Sequence, residues 1–348
     1  MKKLFIAIAA LAAMTSCSQD EVMEVAEKQA ISFNNGFINN ATRAIDPSYG
    51  TTGKDLTSFN VWGSVQGANQ NSKVSIFANE VVTGTIGNQV WSYTNTQYWI
   101  PGASYEFAAL VNAPTGEGNI ELTNFVPTSV KFSSTDGQTD LMYASASVAG
   151  NTVSATYNTP VNFTFNHMLA KAKFSVTNTT NASDNSKNSN YYYKIKSIKI
   201  LNPKTSGTCA LAATPTWTAQ AETENVAYEF GNVTNAESKA TTPLTTDAIA
   251  ITDRMQDQTS HRECLLIPYN YKDSEKLKVS LVVELYMENG ETDKLISTDT
   301  VTPSVAVDIK AGYSYDFKMT VGIGNPIEFT VTSQPTWTTA TNVPTLSW

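Results

Sequence analysis

The chain has 348 residues, 41% of them hydrophobic and 16% charged, with a formal net charge of −8. That length can bury the cores of two domains, and three cysteines are too few for a disulfide framework. An acidic balance whose basic residues are scattered lysines excludes nucleic acid as a partner, and two histidines leave little for metal binding or base catalysis.

The opening MKKLFIAIAALAAMTSCSQDE places Lys2 and Lys3 before an apolar run over 4–13, then small residues up to Cys17. This reads as a secretory signal, too short to span a bilayer as a permanent helix. A cysteine directly after small residues resembles a bacterial lipobox, which predicts a signal peptide over 1–16 and a lipid on the Cys17 thiol. Asp20 and Glu21 resemble the acidic signal that sends lipoproteins to the outer face of the outer membrane in Bacteroidetes-type bacteria. Loss of residues 1–16 removes Lys2 and Lys3, so the net charge goes from −8 to −10.

Next comes QAISFNNGF (29–37), where Ile31 and Phe33 alternate with Ser32. It reads as a short strand able to fill a groove in its own domain. NNATRAIDPSYG (39–50) follows, polar and without period, and it holds Arg43. The chain has only two other arginines, Arg254 and Arg262, against twenty lysines. A solvated loop charge is the plain reading of Arg43; its scarcity and soft surroundings set it apart.

Beyond this point the period is two. Val161, Phe163 and Phe165 alternate with polar residues. So do Leu277, Val279, Leu281, Val283 and Leu285, and the run Tyr313, Tyr315, Phe317, Met319 and Val321. The tail alternates Ile327, Phe329 and Val331 with Glu328, Thr330 and Thr332. Such runs predict half-buried strands, and no helical stripe competes with them. YYYKIKSIKIL (191–201) breaks alternation between Ile195 and Ile198, which a bulge or a strand buried on both faces would explain. The polar stretch 177–190 reads as a loop. The expected fold is all-β, two β-sandwich domains in series: 17–43 an N-terminal propeptide, 44–158 the first sandwich, 159–348 the second with the tail strand.

No catalytic, cofactor or metal set emerges. His167 lies in a packed strand or turn, and His261 stands three residues before Cys264, short of a metal set. There is no G-x-S-x-G elbow, and Pro326 excludes GIGNPI (322–327) as a phosphate loop. The expectation is a protein that is not an enzyme. Cys209 and Cys264 could pair or remain free.

Several stretches together resemble the fimbrillin family of Bacteroidetes, with its FimA-type and Mfa-type pilins. VWSYTNTQYWIPGASYEFAAL (90–110) is similar to its first-domain segment, and DLMYA (140–144) with VNFTFNHMLAKAKFSV (161–176) to its linker. LLIPYN (265–270), IKAGYSYDFKMTV (309–321) and IEFTVTSQPTW (327–337) resemble its C-terminal strands. Their order spans nearly the whole chain. The resemblance implies two transthyretin-like sandwiches, export as an outer-membrane lipoprotein, and assembly into a surface fimbria by donor-strand exchange.

It also implies an arginine-specific protease that cuts between Arg43 and Ala44, with Ile327, Phe329 and Val331 as the candidate donor set. Residues 1–43 carry four positive and four negative charges, so the cut leaves the net charge at −8. The implied partners are copies of the chain or other pilin subunits, the protease, the membrane before processing, and a host or bacterial surface receptor. Stalk and tip subunits read alike. The alternative is a monomeric surface lipoprotein that binds glycans, with Trp62, Trp91 or Trp217 as a stacking platform, or a tip adhesin.

Overall fold

The computed structural model describes residues 29–38, 56–84, 91–134, 139–150, 159–178, 191–219, 227–230, 263–272, 275–287, 294–321 and 328–334. Among them there is no helix; the protein is all-β. The first part of the chain forms β1 (Phe33–Ile38), β2 (Ser58–Gln66), β3 (Val74–Gly84), β4 (Trp91–Ser92) and β5 (Ser104–Val111). It continues with β6 (Ile120–Thr123), β7 (Val126–Ser133), β8 (Met142–Val148) and β9 (Val161–His167). Then come β10 (Ala170–Asn178), β11 (Tyr191–Ile200), β12 (Ser206–Ala210), β13 (Thr216–Ala219), β14 (Tyr228–Phe230) and β15 (Glu263–Leu266). The last are β16 (Tyr269–Asn270), β17 (Leu277–Met287), β18 (Lys294–Val301), β19 (Ser304–Val305), β20 (Asp308–Ile309), β21 (Ser314–Val321) and β22 (Glu328–Gln334).

A seven-stranded sheet runs β1-β9-β8-β5-β2-β3-β4. Its inner residues make one apolar cluster rich in rings, among them Phe33, Phe59, Phe77, Phe107, Phe163 and Phe165. A second cluster lies between the sheets β15-β10-β21-β22 and β14-β11-β17-β18, where Phe174, Phe317 and Val331 meet Ile198, Val279 and Leu281. This is face-to-face packing of two sheets through their inward-pointing sets.

The third cluster crosses between these regions. Strand β12 pairs with β7, 70 or more positions earlier in the chain, in the sheet β13-β12-β7-β6. Trp62, Leu110, Phe132, Leu141, Met168, Cys209 and Leu265 share one apolar contact region. A cut at 158/159 would therefore separate β9 from the sheet in which it lies; the change of sheet comes between His167 and Ala170.

Alternation sets burial where one face is wet. In β9, Val161, Phe163 and Phe165 are buried while Asn162 and Thr164 are exposed. The break in β11 is a bulge: Ile195 opposes Val283 and Ser197 opposes Val282, so Lys196 is the extra residue. Strand β21 differs from expectation. It lies between β10 and β22, and Ser314 and Asp316, read as water-facing, are buried along with Tyr315, Phe317 and Met319. Lys171 and Thr332 on the neighbouring strands are buried too, and Lys173 Nζ lies 3.7 Å from Asp316 Oδ2. A central strand covered on both faces leaves no wet side, and its polar groups are retained by pairing.

Both cysteines in the described residues are free thiols, Cys209 in the third cluster and Cys264 in the second. Burial pushes the Cys209 thiol up to about 12, so no thiolate is present at neutral pH. A maleimide applied to the folded Cys17→Ser chain should label neither cysteine, and denaturation should expose two. Rapid labelling of either in the folded chain would contradict their burial.

Candidate assembly site

The segment 29–38 is placed by the pattern in its own residues. Ile31 and Phe33 are 1% and 3% exposed, and Ser32 between them faces outward. Both apolar side chains enter the first cluster. The Phe33 ring stacks on Phe163 at 5.7 Å between centroids. It also meets Tyr93 at 5.5 Å, Phe77 at 5.6 Å, Phe59 at 6.1 Å and Phe107 at 6.4 Å. Burying one such ring contributes about 1.5–3 kcal/mol, and favourable ring pairs add about 0.5–1.5 kcal/mol each before non-additivity.

The backbone of this segment serves two edges. On one side, the Ile31 amide donates to the Gln97 carbonyl at 2.8 Å and the Trp99 amide donates to the Gln29 carbonyl at 3.0 Å. Ala30 and Tyr98 form the antiparallel bridge between these bonds. On the other side, β1 runs parallel to β9, with Phe33 opposite Val161 and Ile38 opposite Phe165. The Val161 amide donates to the Ser32 carbonyl at 2.8 Å, and the register shifts between Asn34 and Phe37. One short strand therefore joins the β9 edge to the 97–99 segment. Without it, both would present unpaired amides beside a row of exposed rings.

Tyr93 adds a side-chain tie. Its phenol donates to the Ile31 carbonyl at 2.5 Å, and the Gln97 amide donates to the Tyr93 phenol oxygen at 3.4 Å. Burial pushes the Tyr93 phenol up, which keeps it protonated as a donor. No local signal in the sequence marked Tyr93 or 97–99 as partners of residue 31, because the contacts are long-range.

The remaining candidate residues fall in several places. Cys17, Arg43, Ala44 and Ile327 lie outside the described residues. By sequence, Arg43 sits in the connection from β1 to β2, so the Arg43–Ala44 bond is the covalent link between the filling strand and the rest of the fold. Phe329 and Val331 are in β22, antiparallel to β21 and opposite Met319 and Phe317. Val331 is 8% exposed and belongs to the second cluster. Thr332, read as water-facing, is buried with its hydroxyl donating to the Asp316 carbonyl at 3.4 Å.

Trp62 and Trp91 are buried, and Trp217 is half-buried with its indole N–H on the Met168 carbonyl at 2.7 Å. None presents an open face as a stacking platform. His167 is buried with Nδ1 2.6 Å from Asp140 Oδ2, a structural pair. Among the described residues, no three His, Cys, Asp or Glu side chains gather as a metal site.

A family model described as fimbrillin-like matches residues 42–335. The chain belongs to the fimbrillin-like family. A fimbrial protein from Bacteroides vulgatus shares its fold at 14% identity and a TM-score of 0.59, over 89% of this chain and all of that one. A candidate cell adhesion protein from Bacteroides uniformis aligns at 15% identity over 90% and 98% of the two chains, with a TM-score of 0.46. One from Bacteroides ovatus aligns at 14% identity over 88% and 96%, also at 0.46. No curated protein matches the chain. Membership gives this fimbrillin-like chain a coarse role, that of a fimbrial subunit.

The filling strand generates a stability prediction for the uncut chain. Phe33→Ala should cost about 3–5 kcal/mol, the range for deleting a buried aromatic ring. Tyr93→Phe should cost about 1–3 kcal/mol by orphaning the buried Ile31 carbonyl, whereas Ser32→Ala should stay within about 0.5 kcal/mol. Urea denaturation checks all three, and equal effects of Phe33→Ala and Ser32→Ala would deny the strand a place in the core.

Proposed function

We propose that the chain is a structural pilus subunit, exported as a lipoprotein anchored through Cys17, cut between Arg43 and Ala44, and polymerised by donor-strand exchange. The observation that carries this reading is the strand 29–38, which fills a core groove yet is tied to the fold by a single polar connection containing Arg43. An uncut strand returns to its groove because the connection keeps its effective concentration high. Once cut, it is a separate peptide, and its departure leaves an edge with apolar pockets that another strand can enter. The same cut releases the lipid anchor. The role is structural, without catalysis, and two transthyretin-like sandwiches in series suit it, supporting adhesion and colonisation.

The chain's own tail supplies a suitable occupant. Ile327-Glu328-Phe329 repeats the order Ile31-Ser32-Phe33, an isoleucine and a phenylalanine spaced by one polar residue. Entering another copy, Ile327, Phe329 and Val331 would fill the pockets by the same period of two. That exchange requires β22 to leave β21. The burial of Val331 in its own sheet favours a second reading, in which β22 stays and the residues after 334, with Trp337 and Trp348, donate. The partners are other copies or other pilin subunits, an arginine-specific protease, and a surface receptor.

Mass spectrometry of shed polymer should find an N-terminus at Ala44. Arg43→Ala should stay cell-associated and unpolymerised, and Cys17→Ala should carry no fatty-acid label. Polymers beginning at Cys17 or retaining 29–37 would overturn the processing scheme.

The tail is tested by pairing polymer assays with melting of the uncut monomer. Phe329→Asp should abolish polymer, because it places an unpaired charge in a dry pocket. If Trp337→Asp abolishes polymer while Phe329→Asp only lowers the melting temperature, the later segment is the donor.

A further inference from the structure

A cavity of about 560 Å³ lies away from the filling strand, where the loop 112–119 stands over the β7–β12 ladder. We propose that it binds a sugar bearing one carboxylate, such as a uronic acid unit of a polysaccharide. The floor follows from register. Lys131 lies directly opposite Thr208 and Ser133 opposite Ser206, so these four side chains share the outward face of the ladder. Phe132 between them turns to the core, where it is 5% exposed.

The wall is held by its own bonds. Asn112 Nδ2 donates to the Asp140 carbonyl at 2.7 Å, and Asn119 Nδ2 to the Thr115 carbonyl at 2.6 Å. The Lys131 amide donates to the Asn119 carbonyl at 2.7 Å, tying wall to floor. The loop reaches this position through left-handed backbone at Asn112, Gly116 and Gly118, with φ of +55°, +111° and +78°. Glycine adopts that region freely, and asparagine is among the few side chains that tolerate it.

The chemistry of the lining selects the ligand class. Hydroxyls and amides at adjacent positions match the donor and acceptor pattern of a polyol ring. Among the described residues, Lys131 is the one charged residue of the lining and makes no ion pair. No carboxylate among the described residues lines the cavity. Glu117 is on the loop but outside the lining, and Asp140 turns its carboxylate to His167. A lone ammonium beside neutral hydrogen-bonding groups, in a chain of net charge −8, suits a ligand with a single negative charge. The volume falls in the range of small-molecule sites, about 300–1,000 Å³.

The test is a titration of the ¹⁵N-labelled full chain, followed by NMR, with D-glucuronate, D-glucose or sodium sulfate. Glucuronate should shift the amides of 112–119, 131–133 and 206–208 saturably, with glucose at least about tenfold weaker. Lys131→Gln, at an exposed position, should bring glucuronate down to the glucose value, and Thr208→Val should weaken both sugars. Three results would overturn the proposal: no saturable shift with glucuronate, sulfate binding as well as glucuronate at the same amides, or undiminished glucuronate affinity in Lys131→Gln.

Discussion

The burial of Phe33 among five aromatic rings is the contact on which the first half of the structure depends. The ring reaches that position only because the backbone around it is pinned on two sides, by 97–99 before it and β9 after it. Packing and hydrogen bonding are therefore coupled here. Losing the strand removes the apolar filling and leaves two rows of polar groups unpaired at once. A strand added at an outer edge would cost only the ladder bonds.

The separation of the apolar clusters keeps that dependence local. Phe33 and Ile31 belong to the ring-rich cluster, whereas Phe317, Val331 and the β17 residues make another. Opening the groove need not disturb the packing of β21 and β22, consistent with cooperative units that open independently. The third cluster, with Trp62, Phe132, Met168 and Leu265, ties the two regions, and the Asp140–His167 pair lies at the same crossing.

Two surfaces of different character result. The groove is apolar and read by backbone pairing, so it suits a strand with alternate large side chains. The cavity over β7 and β12 is polar and read by hydroxyl, amide and ammonium groups, so it suits a small hydrophilic ligand. Neither presents Trp62 or Trp91, which are core residues, and the Trp217 indole is spent on a backbone carbonyl.

Much of the all-β fold was legible from period two alone. The strands at 161–167, 277–287, 314–321 and 328–334 stand where alternation put them, and the break in 191–201 is the bulge at Lys196. Ile31 and Phe33 were legible as the inward residues of a strand for the same reason: alternation is a property of adjacent positions. Partners were not legible. That residue 33 lies on residue 161, that Tyr93 holds residue 31, and that β12 joins β7 across the middle of the chain were decided by which edges met in three dimensions. The buried polar face of β21 was misread for that reason, since alternation marks the polar side but not whether another layer covers it. The sequence by itself determined which residues form strands and which side chains turn inward, because both depend on local sterics and hydrophobic pattern. Only the tertiary structure decided neighbours, closure and second-face burial, because these depend on packing between segments far apart in the chain.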